Sequence, residues 1–510
     1  MSRRPPHPSV LFLIMHDMGR RWGFCGDSQA RSPHVDTLAA SSVVFESHFS
    51  QWPLCGPSRA NIFSGCRPLT TGRFNNQPFF PGFRARIGQD FHTLPEHFRR
   101  HGYRTLGAGV VYHDVDDPLS WSEPFWEPSP PQEEPEWLRL AQAASPNPWL
   151  SPESHALIEE RWRRLRDAGV PEGQLGTPDG LRRFRGPAVE AGEGTEEAYF
   201  DGQTTARVLQ WIETLQEAEP FFLTVGFTAG HLPFNSPRRF WGLYNRRDLR
   251  LLGFRLPPYG APDWAEGDSE PVQYYTQDGY DLPWHASTEQ SLELLHGHYA
   301  ALSYMDALVG RLLQALKDRE LLENTVVVLT SDHGFHDGEH GYWGKHNLWE
   351  RSLAVPLLIR LPGAARGGTR ITALTEHVDL YPTLCQLCGL SQPGYLEGSG
   401  LASLIGEPGR PWKRAVLAHR RPMWHDRLKV YGIAHSVRTA HYRYTEYLDH
   451  HGGVLHRELF DYREDPEERA NRAASVESLE LAAELARLIR AGWPALRPPG
   501  EGEGTLPRSS

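Results

Sequence analysis

Val10-Leu-Phe-Leu-Ile-Met15 is an unbroken apolar run that ends in His16-Asp17. A strand covered on one face alternates apolar and polar residues. A continuous run of this length marks a strand buried on both faces, as in a parallel sheet. Phe221-Phe-Leu-Thr-Val225 and Thr325-Val-Val-Val-Leu-Thr330 repeat the pattern. Between the runs lie helix-like segments at 34–41, 93–101, 198–218 and 292–317. The last carries Leu302, Met305, Leu308, Leu312 and Leu316 three or four residues apart, one apolar stripe of an amphipathic helix. Strands alternating with helices predict an α/β layered domain.

Outward from this frame the texture changes. Residues 115–195 are rich in Pro, Trp and Glu with little periodicity, and 255–285 are rich in Pro, Tyr and Asp. Long insertions of this kind are more often walls or lids of a site than spacers, although covering a sheet edge is the plain alternative. After Pro382 a Gly-rich stretch, 389–400, reads as a connector. Short β-like runs follow at 415–418, 434–439 and 442–447, then a helix at 476–492. The expected organisation is a catalytic domain over 1–388, a small α+β domain over 389–496, and a disordered Pro/Gly/Ser-rich tail over 497–510.

Composition narrows the function. With 510 residues, 39% hydrophobic and 23% charged, the chain can bury a sizeable core in more than one packed unit. A net charge of −10 disfavours a nucleic-acid partner. No apolar run reaches the roughly 18 residues of a membrane span, so no membrane partner is expected. Lysine occurs only at Lys317, Lys345, Lys413 and Lys429. Five cysteines are too few, and odd in number, for a disulfide-stapled scaffold. The pair Cys385 and Cys388 sits at the end of an apolar helix-like segment and reads as core rather than as half a zinc site. The segment Leu11–Met15 is too short for a signal sequence, and no acceptor sequon for N-glycosylation occurs; a cytoplasmic location is expected.

In α/β sheets ligands bind beyond the carboxyl ends of strands. The first run ends in His16-Asp17 and the third in Ser331-Asp332-His333-Gly334. One such pair alone reads as a helix cap. Two pairs at matching strand ends point to a cation held between them, with carboxylates favouring Ca²⁺ or Mg²⁺ and histidines leaving zinc or manganese open. Cys55-Gly-Pro-Ser-Arg59 adds a cysteine in a tight turn entering a helix, with an arginine one turn on. A helix N-terminus and a guanidinium both favour anions. They also lower a thiol pKa, so the motif reads either as a nucleophile facing an anionic substrate or as an inert buried cysteine.

The stretch CGPSRA resembles the C-x-P-x-R signature of type I sulfatases, whose cysteine is converted to Cα-formylglycine. The match extends through VLFLIMHDMGR and SPHVDTLAASSVVFESHFSQWPLCGPSRA. FFLTVGFTAGHLPF and VVVLTSDHGFHDGEHGYWGKHNLWE with VPLLIRLPG look like the iduronate-2-sulfatase branch, and ELFDYREDPEERANRA is typical of sulfatase C-terminal domains. The resemblance implies an alkaline-phosphatase-like fold: a large central mixed, mostly parallel sheet flanked by helices, and a C-terminal antiparallel sheet. It implies a sulfuric ester hydrolase acting on a small sulfated substrate, of carbohydrate type, and a partner in the formylglycine-generating enzyme. By the same resemblance Cys55 is the formylglycine precursor and a metal ligand. His16, Asp17, Asp332 and His333 fall at the other positions around one divalent metal, usually calcium. Arg59 is implied to hold the aldehyde hydrate, His113 to assist breakdown of the sulfated intermediate, and His231 and Lys345 to bind sulfate and assist the leaving oxygen. One hydroxyl of the hydrate attacks sulfur and the second expels sulfate, which a plain serine or cysteine lacks.

Two positions depart from the family pattern. His16 stands where a carboxylate is usual, which lowers the negative charge at the cation. Val110 stands where a lysine is usual, and Arg104, six residues upstream, is not expected to replace it. These departures leave two other readings: a formylglycine-dependent phosphodiesterase or phosphonate monoester hydrolase, and a non-catalytic sulfatase-like binding protein.

Overall fold

The computed structural model describes residues 7–77, 82–113, 116–129, 134–143, 145–175, 177, 183–251, 253–266, 269–275, 285–422 and 430–500. Its centre is an eight-stranded sheet. The strands are β1 (Ser9–Met15), β2 (Val43–Phe49), β3 (Arg104–Gly109), β4 (Phe221–Phe227), β5 (Thr325–Ser331), β6 (Ala354–Arg360), β7 (Arg370–Ile371) and β8 (Thr375–Glu376). Their order is β7-β2-β6-β5-β1-β4-β3, with β8 also paired to β2. β1 pairs in parallel with β4 and β5, and β3 with β4. β6 runs antiparallel to both β5 and β2, which makes the sheet mixed. The sheet is therefore mixed and mostly parallel, as the family resemblance implies.

β1 shows why its sequence reads as it does. Leu11, Leu13 and Met15 point into one apolar cluster, and Val10, Phe12 and Ile14 into another, the alternation a strand imposes. The first cluster is closed by helices α3 (Phe200–Thr214) and α4 (Thr288–Asp318), through Val208 and Ile212 and through Leu302, Met305, Leu308, Leu312 and Leu316. The second is closed by α2 (Cys55–Ser64) and α5 (Leu380–Leu387), through Ile62, Phe63, Leu380 and Leu384; α1 (Pro33–Ala40) lies on the first face. Each fully buried side chain of this kind contributes about 1.5–3 kcal/mol, so losing either helix layer would unfold the sheet.

The C-terminal part is a four-stranded antiparallel sheet, β9 (Ala415–Arg420), β10 (Ile433–Thr439), β11 (Tyr442–Leu448) and β12 (Val454–Asp461), in that spatial order. One face takes α6 (Leu479–Ala491) through Leu485 and Ala486. The other packs Val416, Ala418 and Tyr447 against Phe49, Trp349 and Leu353 of the larger part. The sequence reading misses β2, β3, β6 and β12, and treats 115–195 as irregular although Pro152–Asp167 forms a helix opened by a Ser151 cap. Cys385 lies in α5 and Cys388 caps its end; both are buried and unpaired, as expected for core. The tail expected to be disordered lies, from 501 onward, outside the described residues. Among the described residues no helix is long and apolar enough to cross a membrane.

Candidate active site

Adjacent parallel strands bring their carboxyl ends together, and β1 and β5 do this to His16-Asp17 and Asp332-His333. The ends are stitched by backbone groups: Asp332 N donates to Met15 O (3.1 Å), Asp17 N to Asp332 Oδ1 (3.1 Å) and Met18 N to Ser331 Oγ (3.2 Å). Asp17 takes a left-handed conformation (φ 56°), which Asp tolerates better than most residues and which turns its carboxylate into the site. α2 then delivers its first residue, Cys55, to the same point. Its Sγ lies 3.0 Å from His16 Nε2, 3.1 Å from His333 Nε2 and 3.9 Å from Asp17 Oδ1. Every residue of α2 is buried, so no amphipathic stripe announces this helix in the sequence.

Arg59, one turn along α2, is fully buried and clamps Asp332: its Nε and Nη2 lie 3.1 and 3.0 Å from Oδ2. Its Nη1 donates to the carbonyls of Val110 and, at 3.3 Å, Val111. Position 110 therefore meets the guanidinium through its backbone, and Arg104 is engaged elsewhere by Glu123 at 2.5 Å. The turn carrying His113 reaches the site because two glycines let backbones touch. A Cβ on Gly226 would sit 1.8 Å from Val110 O, and one on Gly109 (φ +78°) 2.1 Å from Gly226 O. His113, itself at φ 75°, lies with its ring 6.3 Å from that of His16.

Lys345 Nζ lies 2.5 Å from Asp17 Oδ2 and 3.4 Å from Glu270 Oε1. Burial opposes its charge, but Asp17, Cys55 and Glu270 outweigh it and hold the ammonium well above its ordinary pKa. His231 Nδ1 sits 2.6 Å from Leu232 O and its Nε2 3.7 Å from Asp17 Oδ2. Burial, then Lys345, pushes His231 down to about 3, so it is neutral at pH 7. Burial also lowers His16 and His333, and raises the Cys55 thiol. For Asp332 burial alone would raise the pKa, yet His333, Arg59, His16 and Lys345 hold it well below the usual carboxylate range.

All sequence-predicted site residues thus converge: His16, Asp17, Cys55, Arg59, His113, His231, Asp332, His333 and Lys345. The donor set fits a divalent cation. His16, Asp17, Cys55 and Asp332 offer ligand atoms all within 4.8 Å of one another. His333 Nδ1 lies 2.9 Å from Gly334 O, a contact that places the proton there and leaves Nε2 facing Cys55 as a lone pair. Two fully buried carboxylates side by side are costly without a cation between them.

Three neighbours escape sequence reasoning. Glu270, in the 255–285 insertion, is buried beside Lys345 and lies 3.2 Å from His346 Nε2. Asp201 accepts from Thr228 N and Ala229 N at 2.8 Å each, and Asn147 Nδ2 donates to Thr228 O, His231 O and Pro233 O. Both fix the turn that presents His231. They are single polar residues with no motif around them, so only the fold reveals their placement.

A mixed sheet with helices on both faces and a buried cluster of His, Asp and Cys side chains at its strand ends defines a hydrolase of the alkaline-phosphatase-like architecture. The family described as sulfatase matches residues 8–390, and the N-sulphoglucosamine sulphohydrolase C-terminal family matches residues 338–492. The chain belongs to the sulfatase family, in its iduronate-2-sulfatase-like part, and is a sulfuric ester hydrolase. It is 28% identical to the iduronate 2-sulfatase of Homo sapiens, over 90% of each chain. Among solved structures, the phosphonate monoester hydrolase of Agrobacterium radiobacter superposes with a TM-score of 0.69 at 22% identity, over 96% of this chain and 95% of that one. A protein solved with its substrate D-glucosamine-2-N,6-O-disulfate gives 0.69 at 19% identity, over 97% and 100%. At these identities the two structures establish the shared fold.

Proposed function

We propose that this sulfatase releases sulfate from a sulfated saccharide, using Cys55 converted to Cα-formylglycine beside a calcium ion. His16, Asp17, Asp332, His333 and residue 55 itself would hold the ion. The observation that carries this reading is the placement of Cys55 Sγ 3.0 Å from His16 Nε2 and 3.1 Å from His333 Nε2, with Arg59 and Lys345 flanking. When present, the ion supplies neutralising positive charge and the hydrated aldehyde supplies the attacking hydroxyl.

The chain's own groups do the rest. Lys345, kept charged by Asp17 and Glu270, binds a sulfuryl oxygen, and its positive charge meets the negative charge that grows in the transition state. Arg59 holds Asp332 in position and adds a second fixed positive charge. His231 is neutral in the open site, and the charge of a bound sulfate raises its pKa, the direction required of an acid that protonates the leaving oxygen. His113 stands near Cys55 and His16, where it takes the proton whose loss expels sulfate. Glu270 joins the site as the second carboxylate on Lys345.

A saccharide substrate is supported by the human relative and by the structure solved with a disulfated glucosamine. A division at 388/389 is part of this reading: the four-stranded sheet and Leu479–Ala491 hold an apolar cluster of their own, although Leu396, Leu401 and Leu404 pack into the core of the larger part. The formylglycine-generating enzyme is the maturation partner this chemistry requires. Parallel turnover of an aryl sulfate and an aryl phosphodiester by the matured enzyme tests the reading. A kcat/KM favouring the sulfate supports it. A clear preference for the diester moves the chain to the phosphodiesterase reading, for which the imidazole of His16 at the cation is the motivating feature.

A further inference from the structure

Two adjoining cavities are lined by no residue of the Cys55 site. The larger is a groove of about 930 Å3 bordered by Arg20, Arg31, Leu243, Leu249, Arg250 and Arg351. The smaller, about 270 Å3, shares Arg20, Arg21, Cys25, Gly253 and Arg351 with it. In a chain of net charge −10, residues 238–255 carry six arginines against Asp248 alone.

How these arginines are paired separates the groove from its surroundings. Off the groove, Arg238 meets Glu193, Arg239 meets Glu196, Arg246 lies 3.6 Å from Glu293, and Arg255 donates to Ser291 Oγ at 3.0 Å. Arg247 is exposed outside it. On the groove, Arg20, Arg31 and Arg250 have no carboxylate within ion-pair distance among the described residues. The groove's own acids are Asp27, which lies 3.8 Å from Arg21 Nη1 and accepts from Tyr299 Oη at 2.8 Å, and Asp248, which accepts from Asn245 Nδ2 at 3.1 Å. Nearby, Asp337 and Glu339 bind Arg21, and Glu339 also lies 3.3 Å from Arg351. The lining arginines therefore outnumber the lining carboxylates five to two. Leu243, half exposed, adds an apolar patch to the same wall.

We propose that this groove binds a sulfated oligosaccharide segment, as an exosite separate from the reacting sulfate. The inference rests on the sulfated-saccharide reading above. A guanidinium fork matches a sulfate's oxygens in pairs, and the C–H face of a pyranose packs against a leucine. The volume also selects the ligand. Drug-sized sites span about 300–1,000 Å3, so a lone anion would leave this groove largely water-filled while several sugar units occupy it.

The test compares the full-length matured enzyme with R31E/R250E and the milder R31Q/R250Q. Binding of a fully sulfated hexasaccharide is measured by calorimetry, and turnover of a small aryl sulfate is measured on the same samples. The proposal expects hexasaccharide binding to weaken at least about tenfold in R31E/R250E and by less in R31Q/R250Q, with aryl sulfate kcat/KM within about twofold of wild type. Preserved turnover shows that the variants are folded. Unchanged hexasaccharide binding overturns the proposal. So does equal binding of a single-stranded oligonucleotide of matched charge, which would mark a surface that reads charge alone. Charge-dependent saccharide binding without any aryl sulfate turnover would leave the exosite standing and remove the catalytic reading; turnover with no effect on binding would do the reverse.

Discussion

Lys345 Nζ lies 2.5 Å from Asp17 Oδ2, joining a loop lysine to a carboxylate 328 positions earlier at the end of β1. The contact places a fixed positive charge beside the candidate metal ligands, with both side chains almost fully buried. Replacing Lys345 by Met should therefore lower kcat/KM for an aryl sulfate about 10²–10³-fold, the scale of losing one preorganised charge at a reacting oxyanion. Arg should rescue little of it, since a planar fork does not fit a site shaped for a point charge. Steady-state kinetics on both variants check this.

His16 contributes a neutral imidazole where a carboxylate would add charge. H16D should bind calcium about tenfold or more tightly, because affinity for a hard cation follows the number of charged oxygen ligands. Calcium titration of chelator-stripped protein measures it directly. Stripping alone should abolish turnover in both forms, with return on adding calcium.

Asn147 holds the His231 turn through three carbonyls, at 3.2, 2.7 and 3.0 Å. N147A leaves that turn without its tie and buried carbonyls without a donor, a cost of about 1–3 kcal/mol. The expected outcome is a fall in kcat with a lesser change in KM, read alongside a lowered Tm.

Glu458 is fully buried in β12, accepting from Tyr447 Oη at 3.0 Å and Trp349 Nε1 at 3.4 Å. Burial raises its pKa to about 7, above the ordinary 4.5. A carboxyl raised in the folded state contributes its full stability below the unfolded pKa and loses it as pH climbs through the folded one. The loss amounts to roughly 3 kcal/mol between pH 4.5 and 8. E458Q cannot ionise, so its stability relative to wild type should rise across that window. Denaturant unfolding at pH 5 and pH 8 checks the sign; an unfolding free energy of E458Q minus that of wild type that falls from pH 5 to pH 8 would contradict it.

Much of the site was legible because its chemistry sits where strands end. Buried apolar runs located β1 and β5, and the polar residues after them could only project beyond the sheet. Cys55 and Arg59 were legible by motif. Other elements left no local trace. β2 contains Glu46, Ser47 and His48, which interrupt its apolar pattern although it is an inner strand. Glu270 and Asn147 act through contacts made across 75 or more positions and Asp201 across 27 and 28, and nothing in their neighbours sets them apart. The insertion expected to wall the site supplies Asn147, so part of it supports the His231 turn from behind.

The proposed chemistry depends on what residue 55 is in the mature protein. Tandem mass spectrometry of the tryptic peptide spanning residues 32–59, from protein co-expressed with a formylglycine-generating enzyme, reads it directly. The prediction is a peptide bearing an aldehyde, or its hydrate, at Cys55, in proportion to aryl sulfate turnover. An unmodified thiol at Cys55 in protein that turns over aryl sulfate at full rate would contradict it.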